Sequence, residues 1–401
     1  MATTTRQLDR NLANMPEAKA AASASGTEAP FPFLDLNAQY ASLKNQIMPA
    51  LVRVMESQHF ILGKEVEAFE KEIAAFLGVP AAVSCASGSD ALLLSLLAVG
   101  VGVGDEVVIP PFTFVATAGA VARVGAKPVF VDIQRETFNI DPGMIEAAIT
   151  DRTRAIIPVH LFGLPADLNP ILSVAKKQQL AVIEDAAQAI GSRYHGAQAG
   201  TLGTFGCFSF FPSKNLGGAG DGGLVVTNDA RLEDRVRLLR VHGSRRKYHA
   251  EIVGTNSRLD ALQAAILRVK LTYLEEWTLR RQSRAERYRA LFAEYGLDRQ
   301  LRLPSKPAGH VHVYNQFVLR CPERDRLREF LRLRGIPSEI YYSLPLHLQP
   351  AFAYLGYKEG QFPESEAASR EVLALPIYPE LSEERQVAVV RAIAEFYRVS
   401  S

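Results

Sequence analysis

The chain has 401 residues, 48% of them hydrophobic and 22% charged, which excludes a fibre, a coiled coil and a largely disordered polymer. Its 45 basic and 43 acidic residues leave a net charge of +2, so nothing in the balance points to nucleic acid or a membrane surface. The three cysteines, Cys85, Cys207 and Cys321, lie in or beside apolar runs without paired spacing and read as buried thiols, not as a metal cluster or a thiol catalyst.

Residues 1–30 are rich in Ala, Thr, Ser and Glu and lack an apolar h-region, so they read as a disordered leader and not as a signal peptide. No stretch reaches the roughly 20 apolar residues of a membrane span, and a cytoplasmic protein is expected. From residue 31 short apolar runs alternate with helix-length segments. The expected strands are Ala81–Ser84, Glu106–Ile109, Pro128–Asp132, Ala155–His160, Ala181–Glu184, Gly206–Phe211 and Gly223–Thr227. They are apolar without polar alternation and are bounded by Gly, Pro or Asp, as strands covered on both faces are. Between them Ser89–Ala98, Thr113–Val124 and Pro142–Ala148 read as helices. The alternation predicts an α/β large domain over residues 31–255, with a mainly parallel sheet of about seven strands covered by helices.

After Gly254 the pattern changes. Ser257–Tyr295 reads as one long connector helix, with a bend near Trp277 and Thr278. Beyond it a strand (Val313–Leu319), a helix (Asp325–Arg334), a strand (Ser338–Tyr342) and a last helix (Glu383–Val399) predict a smaller α+β domain over 296–401, with 256–295 as the connector.

In open α/β sheets ligands collect at the carboxyl ends of the strands. Four such places carry something specific. Ser87-Gly88-Ser89-Asp90 opens a helix with small residues, which suits an anion, although taken alone an ordinary cap by Ser89 or Asp90 is the preferred reading. Ile183-Glu184-Asp185 brings carboxylates to the end of an apolar strand, a costly placement unless a cation or a cap meets them. Lys214 leaves an aromatic strand for a loop with five glycines, the setting in which a lysine amine loses its proton and attacks carbonyls. A solvated loop lysine or a phosphate-binding one are the alternatives, though the P-loop order does not match. Phe112 brings an aromatic ring to the same edge, as core or as a platform. Together these supply an anion cup, an acid, a flat ring and a desolvated lysine, which is what pyridoxal phosphate requires.

The order SGSDAL, PPFTFVATA, VFVDI, VHLFG, VIEDAAQAIG, SFFPSKNLG, GDGG and NSRLDALQAA resembles the DegT/StrS-type nucleotide-sugar aminotransferases, pyridoxal-phosphate enzymes of fold type I. The resemblance runs from about residue 31 to near the C-terminus. It implies that Lys214 is the Schiff-base lysine and Asp185 the partner of the pyridine nitrogen. It further implies that Gln188 bonds the cofactor's 3-hydroxyl, that Phe112 covers the ring, and that Gly88, Ser89 and Ser209 hold the phosphate. Asn256 would reach the phosphate from the other subunit of a homodimer with composite sites, and Arg258, Tyr341 and Tyr342 would touch substrate. The implied reaction moves an amino group from an amino acid, L-glutamate, through a pyridoxamine phosphate form, to a nucleotide-linked keto sugar. The Asn256-Ser257-Arg258 segment resembles members that aminate C-3 more than those that aminate C-4. Two other readings stand beside this one. A dehydratase branch carries His where Lys214 stands, and a non-catalytic regulator would bind the cofactor without turnover. His160 reads as a structural hydrogen-bond partner, while His242 and His347 read as surface histidines.

Overall fold

The computed structural model describes residues 31–399, so the expected leader over residues 1–30 lies outside the described residues. The first described elements are two helices, α1 (Leu36–Ser57) and α2 (Lys64–Leu77). Asp35 starts α1 by accepting a 2.9 Å bond from Ala38 N–H. Leu43, Ile47, Ala50 and Val54 form its buried face. Gly78, at φ 70°, closes α2 in the left-handed conformation.

The central sheet contains β1 (Ala81–Cys85), β2 (Glu106–Ile109), β3 (Lys127–Phe130), β4 (Thr153–Ile156), β5 (Ala181–Asp185), β6 (Phe205–Ser209) and β7 (Gly223–Thr227). Their spatial order is β1-β7-β6-β5-β4-β2-β3. β2 pairs in parallel with β3 and β4, β4 with β5, and β5 with β6. β7 runs antiparallel to both β1 and β6. The mainly parallel seven-stranded sheet expected from the sequence is therefore present, with one reversed strand inserted near an edge.

The apolar runs behave as doubly covered strands must. In β7, Leu224 and Val226 pack with Phe69 and Ile73 of α2, whereas Val225 packs with Leu92 and Leu94 on the opposite face. That second face is covered by α3 (Gly88–Ala98), α4 (Val115–Arg123) and α6 (Ala230–Leu239), while α5 (Leu168–Lys177) packs under β5. Among the described residues no helix is long and apolar enough to cross a membrane.

The region after Gly254 departs from expectation in three places. Ser257–Tyr295 is two helices, α7 (Ala261–Leu271) and α8 (Leu274–Glu294), and the break falls at Thr272-Tyr273. Trp277 lies inside α8, buried against Leu43 and Ile47 of α1, so packing and not a bend explains it. The strand expected from Val313 begins at Phe317 as β8 (Phe317–Arg320), and its antiparallel partner is β9 (Val372–Leu375). Ser338–Tyr342 is not a strand. Glu339 alone bridges Ala374, and the chain then carries Tyr341 and Tyr342 away. The remaining helices of eight residues or more are α9 (Arg324–Leu333), α10 (Pro363–Glu371) and α11 (Glu383–Val399), and the helix expected over Pro142–Ala148 is a 3-10 turn followed by one α-turn, Ile145–Ala148.

One buried ion cluster ties the outer layer to the sheet. Glu70 on α2, 5% exposed, accepts from Ser84 N–H at 2.9 Å and from Ser84 Oγ at 2.8 Å. It also meets Arg240 at 2.5 Å and Arg237 at 2.8 Å. Burial pushes its carboxyl up, but the two guanidinium groups outweigh burial and hold it below the usual carboxylate range. Because Arg240 is also buried, Glu70→Gln leaves an uncompensated cation. We expect it to destabilise the fold by about 3–5 kcal/mol in urea titration. A loss below about 1 kcal/mol would show that the cluster is solvated.

Candidate active site

The carboxyl ends of β1, β2, β5 and β6 open onto one cavity of about 490 Å³. Lys214, Asp185, Gln188, Gly88, Ser89 and Ser209 all line it, together with Tyr341 and Tyr342. Eight of the residues singled out in the sequence, spread over more than 250 positions, thus meet at one place.

At the start of α3 the cap is Ser87, not Ser89 or Asp90. Ser87 Oγ accepts from Asp90 N–H at 3.1 Å. That leaves Ser89 on the cavity wall, and the N–H groups of the first helical turn have no acceptor within the helix. Gly88 is required for a steric reason: a Cβ there would stand 2.7 Å from Ser209 Cβ. The end of β6 thereby presses against the helix start, which completes an anion cup.

Asp185 ends β5 at 6% exposure. Its Oδ2 accepts from Thr117 Oγ1 at 2.8 Å and its Oδ1 from Ala187 N–H at 3.2 Å. Burial pushes its carboxyl up. The Thr117 and Ala187 donors, and then the charge of Lys214, pull it back. Lys214 follows a turn closed by its own N–H on Phe211 O at 2.8 Å. Lys214 is half-buried as a residue, and burial of its amine lowers it to about 8 against the pull of Asp185. The loop beyond is pinned where Lys270 Nζ donates to Gly217 O at 2.8 Å and Asn215 Nδ2 to Val313 O at 3.1 Å.

Gln188 is oriented from both ends. Its Oε1 accepts from Phe162 N–H at 2.7 Å, which turns its Nε2 toward the cavity and the Tyr342 hydroxyl at 3.4 Å. Phe112 is a correction. It is fully buried among Phe138, Val159 and Phe162 and does not line the cavity. Phe114, two residues later and 55% exposed, stands at the cavity wall instead. Phe112 still follows the inward direction of β2, whereas Phe114 is where α4 begins. From the sequence Phe112 alone is singled out, and the turn after it brings Phe114 to the cavity.

His160 donates from Nε2 to Glu184 at 2.8 Å, because its Nδ1 already accepts from Ala166 N–H at 3.0 Å. Glu184 is further satisfied by the N–H groups of Gly200, Leu202 and Gly203, so this pair is structural. His242 is exposed, as expected. His347, expected at the surface, is buried and bonded to Glu366 at 3.1 Å. Asn256 is exposed and Arg258 half-buried, and neither lines the cavity of its own chain. Sequence reasoning missed Thr117, Phe211, Asp221 and Gln316. For Thr117 a signal existed, the Thr113/Thr117 spacing of one helical turn.

Residues 41–394 match the profile of the DegT/DnrJ/EryC1/StrS aminotransferase family. A "Pleiotropic regulatory protein" of Geobacillus stearothermophilus is 53% identical over 92% of this chain and 98% of its own. A UDP-N-acetyl-3-dehydro-alpha-D-glucosamine 3-aminotransferase of Acidithiobacillus ferrooxidans is 47% identical over 90% and 96%. Among solved structures, DesV of S. venezuelae in complex with a ketimine intermediate superposes with a TM-score of 0.89. It shares 43% identity and covers 92% of this chain and 99% of DesV.

The amine at the centre of the cavity sets a measurable expectation. In cofactor-free protein, acylation of Lys214 followed by peptide mapping should be half-maximal near pH 8, while exposed lysines respond near 10.5. The sign follows from burial, which disfavours the ammonium form. A midpoint above about pH 10 would mean that the amine is solvated.

Proposed function

This chain belongs to the DegT/DnrJ/EryC1/StrS aminotransferase family, and on that ground we propose that it transfers an amino group from L-glutamate to the C-3 keto group of a nucleotide-linked sugar. It is a pyridoxal-phosphate-dependent enzyme. The observation that carries the reading is the meeting of a desolvated lysine, a buried carboxylate and a helix-start anion cup in one cavity.

The residues present fit the cofactor. The cup of Gly88, Ser89 and Ser209 suits its phosphate, for only a glycine at 88 lets the helix start approach Ser209 so closely. Asp185 suits its ring nitrogen, Gln188 Nε2 its 3-hydroxyl, and Phe114 takes the covering place expected of Phe112. When bound, the cofactor supplies an electron-withdrawing ring that acidifies the C–H bond beside the transferred amine. Lys214 would hold the cofactor, and its Nζ is the atom that could take up and return a proton beside it. An amine lowered to about 8 is partly neutral near pH 7 and can take as well as give. Asp185 keeps the ring nitrogen protonated, which requires that it stay ionised while buried. Tyr341 and Tyr342 form the wall where the acceptor sugar enters. In this reading residues 31–255 carry the cofactor, 256–295 connect, and 296–401 supply that wall.

The acceptor class follows the relatives, whose names include 3-amino and 3-oxo nucleotide sugars. Lys214 stands against the dehydratase reading. The regulator reading draws on the name of one relative, but an intact Lys214, Asp185 and Gln188 favour turnover.

The working unit in this reading is a homodimer. Tyr40, Met48, Val52 and Met55 form an exposed apolar stripe on α1, on a different face from its buried residues. Exposed Phe114 and Phe211 stand at the cavity itself, and Asn256 and Arg258 have no place in their own chain's cavity. A second copy covers the stripe and brings Asn256 to the phosphate and Arg258, with its planar donor fork, to a substrate carboxylate.

Two experiments test this. Release of 2-oxoglutarate from glutamate, assayed against 3-keto and 4-keto nucleotide sugars, should occur with a 3-keto acceptor and fall by several orders of magnitude in Lys214→Ala. Turnover with 4-keto acceptors alone would overturn the regiochemistry, and none with any acceptor would favour the regulator. Mixing Lys214→Ala with Asn256→Ala protomers should restore activity, since one of the two composite sites is then intact. A fully active monomer would rule the arrangement out.

A further inference from the structure

Asp185 Oδ2 is not held by the main chain but by a side chain from another element. Thr117 Oγ1, on α4, stands 2.8 Å from it, and Thr113 Oγ1 stands 3.2 Å from Thr117 Oγ1. Thr117 is 0% exposed and Thr113 3% exposed. A threonine inside a helix usually returns its hydroxyl proton to the carbonyl one turn back. Here the proton goes to Asp185, and the group one turn back offers a second hydroxyl. Neither serves as a cap, since Phe114 precedes α4 as its cap residue and no side chain makes a cap bond there.

Direction follows from the chemistry of the groups. An ionised carboxylate only accepts, and a hydroxyl has one proton. Thr117 therefore donates to Asp185 and can only accept from Thr113. We propose that Thr113 and Thr117 form a directed hydroxyl relay that fixes the orientation of Asp185 and keeps it ionised, so that Thr117 is a positioning residue for the reaction. The proposal rests on the reading of Asp185 as partner of the cofactor's ring nitrogen. Asp185 has two other kinds of titratable neighbour. Lys214 favours its anion, while His160 is engaged by Glu184 and Ala166 N–H. Cys207 and Tyr342 face it as well, but burial pushes both groups up and keeps them protonated and neutral. Of the contacts that oppose burial at Asp185, the bond from Thr117 is the strongest.

Loss of the relay makes Asp185 more basic, and the proton shared with the ring nitrogen moves toward the carboxylate. A less positive ring withdraws fewer electrons from the nitrogen that joins it to Lys214, which then holds its proton to higher pH. The test is a pH titration of the holoenzyme's visible absorption, together with the dissociation constant for pyridoxal phosphate. Thr117→Val, which keeps the volume, should raise the midpoint by about one unit and weaken cofactor binding about tenfold. Thr117→Ser should restore both values, and Thr113→Val should shift the midpoint in the same direction by less. A wild-type midpoint in Thr117→Val, or failure of Thr117→Ser to restore it, would overturn the relay if Asp185→Asn is shifted. If Asp185→Asn also titrates as wild type, the ring-nitrogen reading of Asp185 itself fails. Should Thr117→Val not fold, an unshifted Thr113→Val overturns the relay.

Discussion

A carboxylate and an amine share the interior of one cavity, at the end of a sheet whose strands are covered on both faces. Burial strips water from Asp185 and from the Lys214 amine, so each is moved in the direction burial dictates, the acid up and the amine down. Chemistry needs the second displacement and must resist the first. The amine has to be partly neutral, while the acid has to remain an anion. The protein separates the two demands by giving Asp185 a hydroxyl and a main-chain N–H, whereas at Lys214 it sets only the charge of Asp185 against burial.

Much of the surrounding architecture serves that placement. β7 runs against its neighbours, so the chain leaving β6 must turn back at the very edge where the cavity opens. That reversal is the glycine-rich loop carrying Lys214. Its glycines answer local crowding: a Cβ at Gly217 would stand 2.3 Å from Pro212 O, and Lys270 then fastens the same residue's carbonyl from α7. Behind the sheet, Glu70 with Arg237 and Arg240 joins α2, β1 and α6, which holds the strand that leads into the anion cup. The cavity is thus bounded by elements whose positions are fixed outside it.

The C-terminal part contributes through side chains and not through the sheet. Tyr341 and Tyr342 reach the cavity because the segment after Glu339 makes one bridge to β9 and then departs, where a regular strand would have carried both rings along the β8–β9 ribbon. Asn315 Nδ2 and Val313 O both engage Asn215, next to Lys214, so the same segment that precedes β8 also braces the lysine loop.

The central sheet and the chemistry at its edge were legible in the order of residues alone. Glu106–Ile109 and Gly223–Thr227 were readable to the residue, because a strand buried on both faces is apolar along most of its length and ends near the Gly, Pro or Asp that breaks it. Lys214 and Asp185 stood out because a charged group at the end of such a strand is costly to desolvate and must be offset by a partner or put to use. Three-dimensional packing chose which of two nearby rings serves the cavity, since Phe112 and Phe114 differ only in the direction the chain takes between them. Packing also made Ser338–Tyr342 irregular, parted α7 from α8 at Thr272-Tyr273, and brought Thr117 of α4 to Asp185 of β5. Each of those depends on contacts between residues far apart in the chain, and local propensity carries no information about which partner will be there.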